Sequence, residues 1–179
     1  SVWESAPADP RPGATGWQRL APDRPYQTTA IRVDHPIKGF FLPAQEGVGA
    51  YPASQPLEPR APRRVIVGAK ACDLVALRTY DAVFAADPVK DDFFAVRRKN
   101  TLSVAADCPE PAATCWCTAL GGKPWPTDGF DLALAAVEGG YLVEVGSDGG
   151  RALVENPQWK GLFSGATSGQ VQQRDAARR

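Results

Sequence analysis

The chain has 179 residues, 44% of them hydrophobic, with 20 basic and 20 acidic side chains and a formal net charge of +0. That length suffices for one substantial core, and the balanced charge gives no electrostatic reason to expect nucleic acid or an anionic membrane as partner. No apolar run approaches the ~20 residues of a membrane helix and no charged-then-apolar leader opens the chain, so no membrane span and a cytoplasmic location are expected.

The chain begins at Ser1 and contains no methionine, which suggests a processed form or an excised piece of something longer. Most of the 17 prolines fall in residues 1–62. Proline removes backbone donors and blocks helix, so this stretch is expected to be an irregular, extended arm. Trp3, Trp17, Tyr26, Phe40 and Phe41 give the arm apolar surface to bury against a core. Two apolar islands, residues 28–33 and 37–42, suit edge strands or pieces laid over that core. His35, the single histidine, stands between Asp34 and Pro36 and reads as a surface or turn residue.

From Arg63 the pattern changes. Arg64-Val65-Ile66-Val67-Gly68 is a β-branched run of the kind that forms a buried strand. Residues 73–84 place Leu74, Leu77, Val83 and Phe84 at roughly helical spacing, with Tyr80 on the same side and Asp73 as a cap or first-turn residue. Asp87-Pro88 breaks that helix. Residues 91–99 suit a short helix ending in Arg97-Arg98-Lys99, where cations are favoured at a C-terminus or on a solvated face more than as a docking patch. Residues 101–106 predict a second strand, parallel to the first because a crossover separates them.

Gly121-Gly122 and Pro124-Trp125-Pro126 then predict a rigid turn. Residues 130–137 and 141–145 flank Gly139-Gly140 as in a hairpin, although the alanines of 132–137 also suit a short helix. Asp148-Gly149-Gly150 reads as another turn, with 152–154 as an added edge strand, and polar residues 166–179 as a helix or tail leaving the domain. The expected fold is α/β: a mixed, partly parallel sheet with flanking helices in residues 63–165, preceded by the arm 1–62 and followed by 166–179.

Four cysteines stand out. Cys72 follows the first strand at the start of a helix, Cys108 follows the second by two residues, and Cys115 and Cys117 lie on the loop beyond. Ligands gather beyond the carboxyl ends of parallel strands, so this order would bring all four thiols to one edge of the sheet. The cysteine fraction is too low for a disulfide scaffold, and the spacing of Cys115 and Cys117 suits one ion better than mutual pairing. An iron–sulfur cluster comes first among the possibilities; a structural zinc, disulfides or redox thiols, and unconnected thiols stay open. The start of the helix and Lys70 are expected to lower the Cys72 pKa. Asp73 is expected beside the site as a cap or first-turn residue, Thr114, Thr118 and the amides around residues 115–120 offer hydrogen bonds to sulfur, and Trp116 would shield the site from water. A nucleophilic role for Cys72 would need a partner base, which His35 is not obviously placed to supply.

Several motifs, in register, resemble one family. These are Gly68-Ala69-Lys70-Ala71-Cys72-Asp73-Leu74, Arg97-Arg98-Lys99-Asn100-Thr101-Leu102, Cys108-Pro109 with Thr114-Cys115-Trp116-Cys117-Thr118, and Gly129-Phe130-Asp131-Leu132-Ala133-Leu134. Ile37-Lys38-Gly39-Phe40-Phe41-Leu42-Pro43 and Tyr141-Leu142-Val143-Glu144-Val145-Gly146-Ser147 extend the likeness over roughly residues 36–167. The family comprises the iron–sulfur β subunits of cytoplasmic [NiFe] hydrogenases (sulfhydrogenases) and the A subunit of anaerobic sulfite reductase.

The resemblance implies an electron-transfer module without substrate chemistry of its own. Such a module relays electrons between a hydrogenase- or sulfite-reductase-type catalytic subunit and a flavin-containing, nicotinamide-linked subunit. It also implies Cys72, Cys108, Cys115 and Cys117 as cluster ligands, with [4Fe–4S] favoured over [2Fe–2S]; the alternative is a zinc-stabilised docking domain without redox activity. The family usually has arginine and proline where this chain has Lys70 and Ala71. It also carries a C-terminal ferredoxin-like part with two further cysteine runs, and this chain reaches Arg179 without them. Either that part was removed or the relay uses one centre.

Overall fold

Arg64–Ala69 is strand β3 of a six-stranded sheet, and the rest of the fold is arranged around it. The computed structural model describes residues 2–7, 15–19, 33, 35–49 and 57–179. The other strands are β1 (Val2–Pro7), β2 (Thr15–Arg19), β4 (Thr101–Ala106), β5 (Leu132–Val137) and β6 (Gly140–Val145). Their order is β2-β1-β3-β4-β5-β6. The four inner strands run parallel, and β2 and β6 are antiparallel edges. The helices are α1 (Ala71–Phe84), α2 (Asp92–Lys99), α3 (Asp148–Glu155) and α4 (Ser168–Ala177). The protein therefore has the expected α/β architecture with a mixed, partly parallel sheet.

The β-branched residues of β3 pair with β4 in parallel register, Val65 opposite Leu102 and Val67 opposite Val104. Gly68 interrupts that register with φ 94°, a backbone state glycine enters without a Cβ clash, and the chain turns into α1. Helix α1 begins two residues earlier than its apolar pattern suggests. The Lys70 amide donates to Asp73 Oδ2 at 2.9 Å, so Asp73 caps the helix from its third residue rather than opening it. Leu74 and Leu77 are buried, with Tyr80 and Phe84 against the same core. Val83 is 57% exposed. It lies nine residues beyond Leu74, and at 3.6 residues per turn that is about half a turn out of phase.

Asp91 accepts from the Phe94 amide at 3.0 Å and starts α2. The basic cluster in its last turn serves packing. Arg98 holds Asp81 of α1 through two bonds of 2.7 and 2.8 Å, and Arg97 donates to the Phe41 carbonyl at 2.9 Å and pairs with Glu46. The island at 37–42 lies on the core. Ile37–Phe40 is a 3₁₀ turn, Ile37 and Phe41 are buried, and Phe41, Phe94 and Phe84 form a row with ring centroids 6.2 and 5.5 Å apart. The other island, 28–33, lies outside the described residues except for Val33.

Three expectations change, and one open choice resolves in favour of the hairpin. Strands β1 and β2 form within the stretch read as irregular: they pair with each other as antiparallel strands, and β1 also adds in parallel to the open edge of β3. Residues 132–137 are strand despite their alanines, since β4 and β6 flank them on both sides. The turn and edge strand expected at 148–154 are helix α3: Ser147 Oγ accepts from the Gly150 amide at 3.0 Å, and a Cβ on Gly150 would overlap the Asp131 carbonyl. The glycines are there for close approach rather than for a turn. Finally, α4 does not leave the domain. It packs on β5 and β6, with Glu138 N–H donating to Gln173 Oε1 at 2.9 Å. Among the described residues no helix is long and apolar enough to cross a membrane.

Candidate metal centre

Because β3 and β4 are parallel neighbours, their carboxyl ends share one edge of the sheet, with Ala69 opposite Ala105. Cys72 stands just past that edge as the second residue of α1, and Cys108 two residues past β4. The loop leaving Cys108 turns back through two local devices. The Cys115 amide donates to the Ala112 carbonyl at 2.9 Å, and the 3₁₀ turn Thr118–Leu120 follows Cys117, whose carbonyl accepts from the Gly122 amide at 2.9 Å. None of the four cysteines is in a disulfide. Cys72 and Cys115 reach the surface, while Cys108 and Cys117 are half-buried.

Electrostatics ties the four sulfurs to one neighbourhood. Desolvation is the largest influence on Cys72 and pushes its thiol up; the charges of Asp73, Cys108 and Cys117 push the same way, against a backbone hydrogen bond from Asp73. Desolvation also raises Cys108, opposed by the Lys70 ammonium and reinforced by Cys115 and Cys117. The expected lowering of the Cys72 pKa by the helix start and Lys70 is therefore reversed. Dehydration and neighbouring anions outweigh a partial positive charge at the first turn.

Lys70 is 6% exposed, and its Nζ donates to the Asp107 carbonyl at 3.1 Å. Desolvation lowers its pKa, against the charges of Cys108, Asp73, Asp107 and Cys72. A buried cation between the two cysteine-bearing segments suits thiolates that would otherwise repel one another.

Other expected site residues fall out differently. The Ala112 amide donates to Cys115 Sγ at 3.2 Å, and the Cys108 thiol donates to the Glu110 carbonyl at 3.5 Å. Thr114 and Thr118 are exposed. Trp116 is 64% exposed. His35 is exposed, and its carbonyl accepts from Trp17 Nε1 at 2.9 Å, far from this chemistry in sequence and role. Among the described residues no three His, Cys, Asp or Glu side chains close into a group that could hold a metal ion. The chemistry of the donors nevertheless suits a thiolate-bound centre: all four thiols are free, a buried cation stands beside two of them, and an amide points at a third.

Residues that sequence reasoning missed surround Asp107. Its amide donates to the Leu134 carbonyl at 3.1 Å, its carbonyl accepts from Lys70, and both carboxylate oxygens accept from Arg178 at 2.8 Å. Arg178 is 71 positions away and beyond α4, so no local signal could have joined the two.

Fold and site together define an α/β domain with two cysteines just past the carboxyl ends of neighbouring parallel strands and two more on the loop that follows. In sequence the chain is similar to sulfhydrogenase 2 subunit beta of Pyrococcus furiosus, with 31% identity over 120 residues. The matched region is 66% of this chain and 35% of that protein, so the chain spans about a third of the relative's length. The similarity supports the resemblance to hydrogenase β subunits. No family model and no solved structure matches the chain.

Proposed function

We propose that the chain is an electron-transfer module that holds one iron–sulfur cluster through Cys72, Cys108, Cys115 and Cys117. What supports this best is that free Cys72 and Cys108 follow neighbouring parallel strands at one sheet edge, with free Cys115 and Cys117 on the loop beyond, in a chain similar to a sulfhydrogenase β subunit. Four thiolates suit [4Fe–4S] ahead of [2Fe–2S]. When bound, the cluster would supply one-electron chemistry.

The protein's own contribution is positional. Strands β3 and β4 fix the roots of Cys72 and Cys108, Pro109 and Pro111 stiffen the loop, and Lys70 offsets thiolate charge. Exposure of Cys72 and Cys115 puts part of the site at the surface, where an electron partner can approach. The partners are the catalytic subunit of a hydrogenase- or sulfite-reductase-type complex and a flavin- and nicotinamide-linked subunit, and the setting is cytoplasmic.

Purification without oxygen, followed by iron and acid-labile sulfide analysis and a visible spectrum, tests the proposal. The expected result is a brown protein absorbing broadly at roughly 400 nm, with colour lost in Cys→Ser variants at the four positions. A colourless protein holding about one zinc, or no metal after cluster reconstitution, would refute it and leave a zinc-stabilised docking domain.

A further inference from the structure

Helix α4 ends beside the root of Cys108. Arg178, with its side chain 13% exposed, binds both oxygens of Asp107 at 2.8 Å and pairs with Glu144 of β6 at 2.7 Å. Arg174, one turn earlier, lies 3.5 Å from the other Glu144 oxygen. Asp107 is thereby fixed at every polar group it has, since its amide is held by Leu134 and its carbonyl by Lys70. The next residue is Cys108, whose amide donates to the Pro124 carbonyl at 2.7 Å. A cavity of about 180 Å³ lies between Cys108, Trp125, Leu134 and Arg178.

We infer that α4 belongs to the thiol site, and that Arg178 is a positioning residue that fixes Cys108 through Asp107. Bidentate guanidinium–carboxylate contacts set direction as well as distance, so the Asp107 plane, and with it the exit vector of Cys108, is fixed. Glu144 adds an ion pair to the same guanidinium. Asp107 gives its carboxylate to Arg178 and its carbonyl to the Lys70 side chain, so α4 and the root of Cys108 meet in one unit. Cys72 is independent of this clamp, since α1 itself holds it. The role of Cys108 as a cluster ligand rests on the function proposed above; the clamp on its backbone does not.

The test has one arm for each. In the full chain without metal, the alkylation rates of Cys72 and Cys108 by iodoacetamide are followed by mass spectrometry in wild type, Arg178→Gln, Arg178→Lys, Asp107→Asn and the Asn/Gln double variant. Loss of the clamp in Arg178→Gln is expected to speed Cys108 about tenfold while leaving Cys72 unchanged. Arg178→Lys recovers part of the effect, and the double variant resembles either single one. In protein reconstituted with iron and sulfide, Arg178→Gln loses colour to a chelator about tenfold faster at equal initial loading.

An unchanged Cys108 rate would overturn the inference. So would equal acceleration at both cysteines with a lowered Tm, which would mark Arg178 as a general stabiliser. Failure of every form to take up iron and sulfide would overturn the proposed function, while the alkylation rates would still decide the clamp.

Discussion

Gly150→Ala sets two effects of opposite sign against each other. Within a helix interior alanine is favoured over glycine by about 1 kcal/mol, so on propensity alone the substitution stabilises α3. Here the new Cβ would overlap the Asp131 carbonyl oxygen, with the carbonyl carbon at 2.7 Å and Leu132 Cδ2 at 3.1 Å. Two of these three atoms are backbone at the entry to β5, so no rotamer change relieves them. Either α3 lifts from the strand or the strand shifts. The cap also suffers, because Ser147 binds Gly150 at 3.0 Å and Asp131 at 2.5 Å through one hydroxyl.

Overpacking of this kind costs about 3 kcal/mol at the upper end of its usual range. After the propensity gain a net loss of about 2 kcal/mol remains, which for a chain of this size lowers Tm by about 4–8 °C. Thermal and denaturant unfolding followed by circular dichroism would measure it. Gly169→Ala in α4 serves as the control, because only Thr167 Oγ1, at 3.9 Å, lies near its Cβ. That variant should be neutral or stabilised by up to about 1 kcal/mol. A Gly150→Ala protein as stable as wild type, or more so, would refute the close contact between α3 and the root of β5.

Two further outcomes concern the thiol site. Lys70→Met removes the donor to the Asp107 carbonyl and should destabilise the metal-free protein by about 1–3 kcal/mol. In the loaded protein, removing a cation beside thiolates should make the centre harder to reduce, and a tenfold effect would read as about 59 mV in redox titration; an unchanged potential would remove Lys70 from the site. In the metal-free protein the Cys72 and Cys108 thiols titrate above the ordinary value of about 8.5, so their alkylation rates should rise half-maximally above that pH. The sign for stability follows. The fold favours the neutral thiols, so their contribution is complete below the unfolded-state pKa and is lost as pH rises through the higher folded-state value. Thiolate-like reactivity at neutral pH would contradict the raised values.

The local pattern was enough to determine the βα unit at 64–84, the short basic-ended helix before β4, and the strand at 101–106. In each, apolar periodicity, a capping acid or a proline break acts over a few residues. It also placed Cys72 and Cys108 past one edge of the sheet, because parallel strands put successive carboxyl ends on the same side.

Tertiary structure decided what depends on contacts distant in sequence. Gly149-Gly150 looks like a turn until Asp131 is seen against it, and the alanines of 132–137 become strand because two neighbours pair with them. The polar segment after residue 166 looks like a departing tail because its partners, Asp107, Glu138 and Glu144, lie far back along the chain. Propensity and period are properties of a window; an ion pair across 71 residues, or a helix pressed against a strand's backbone, exists only once the chain has folded.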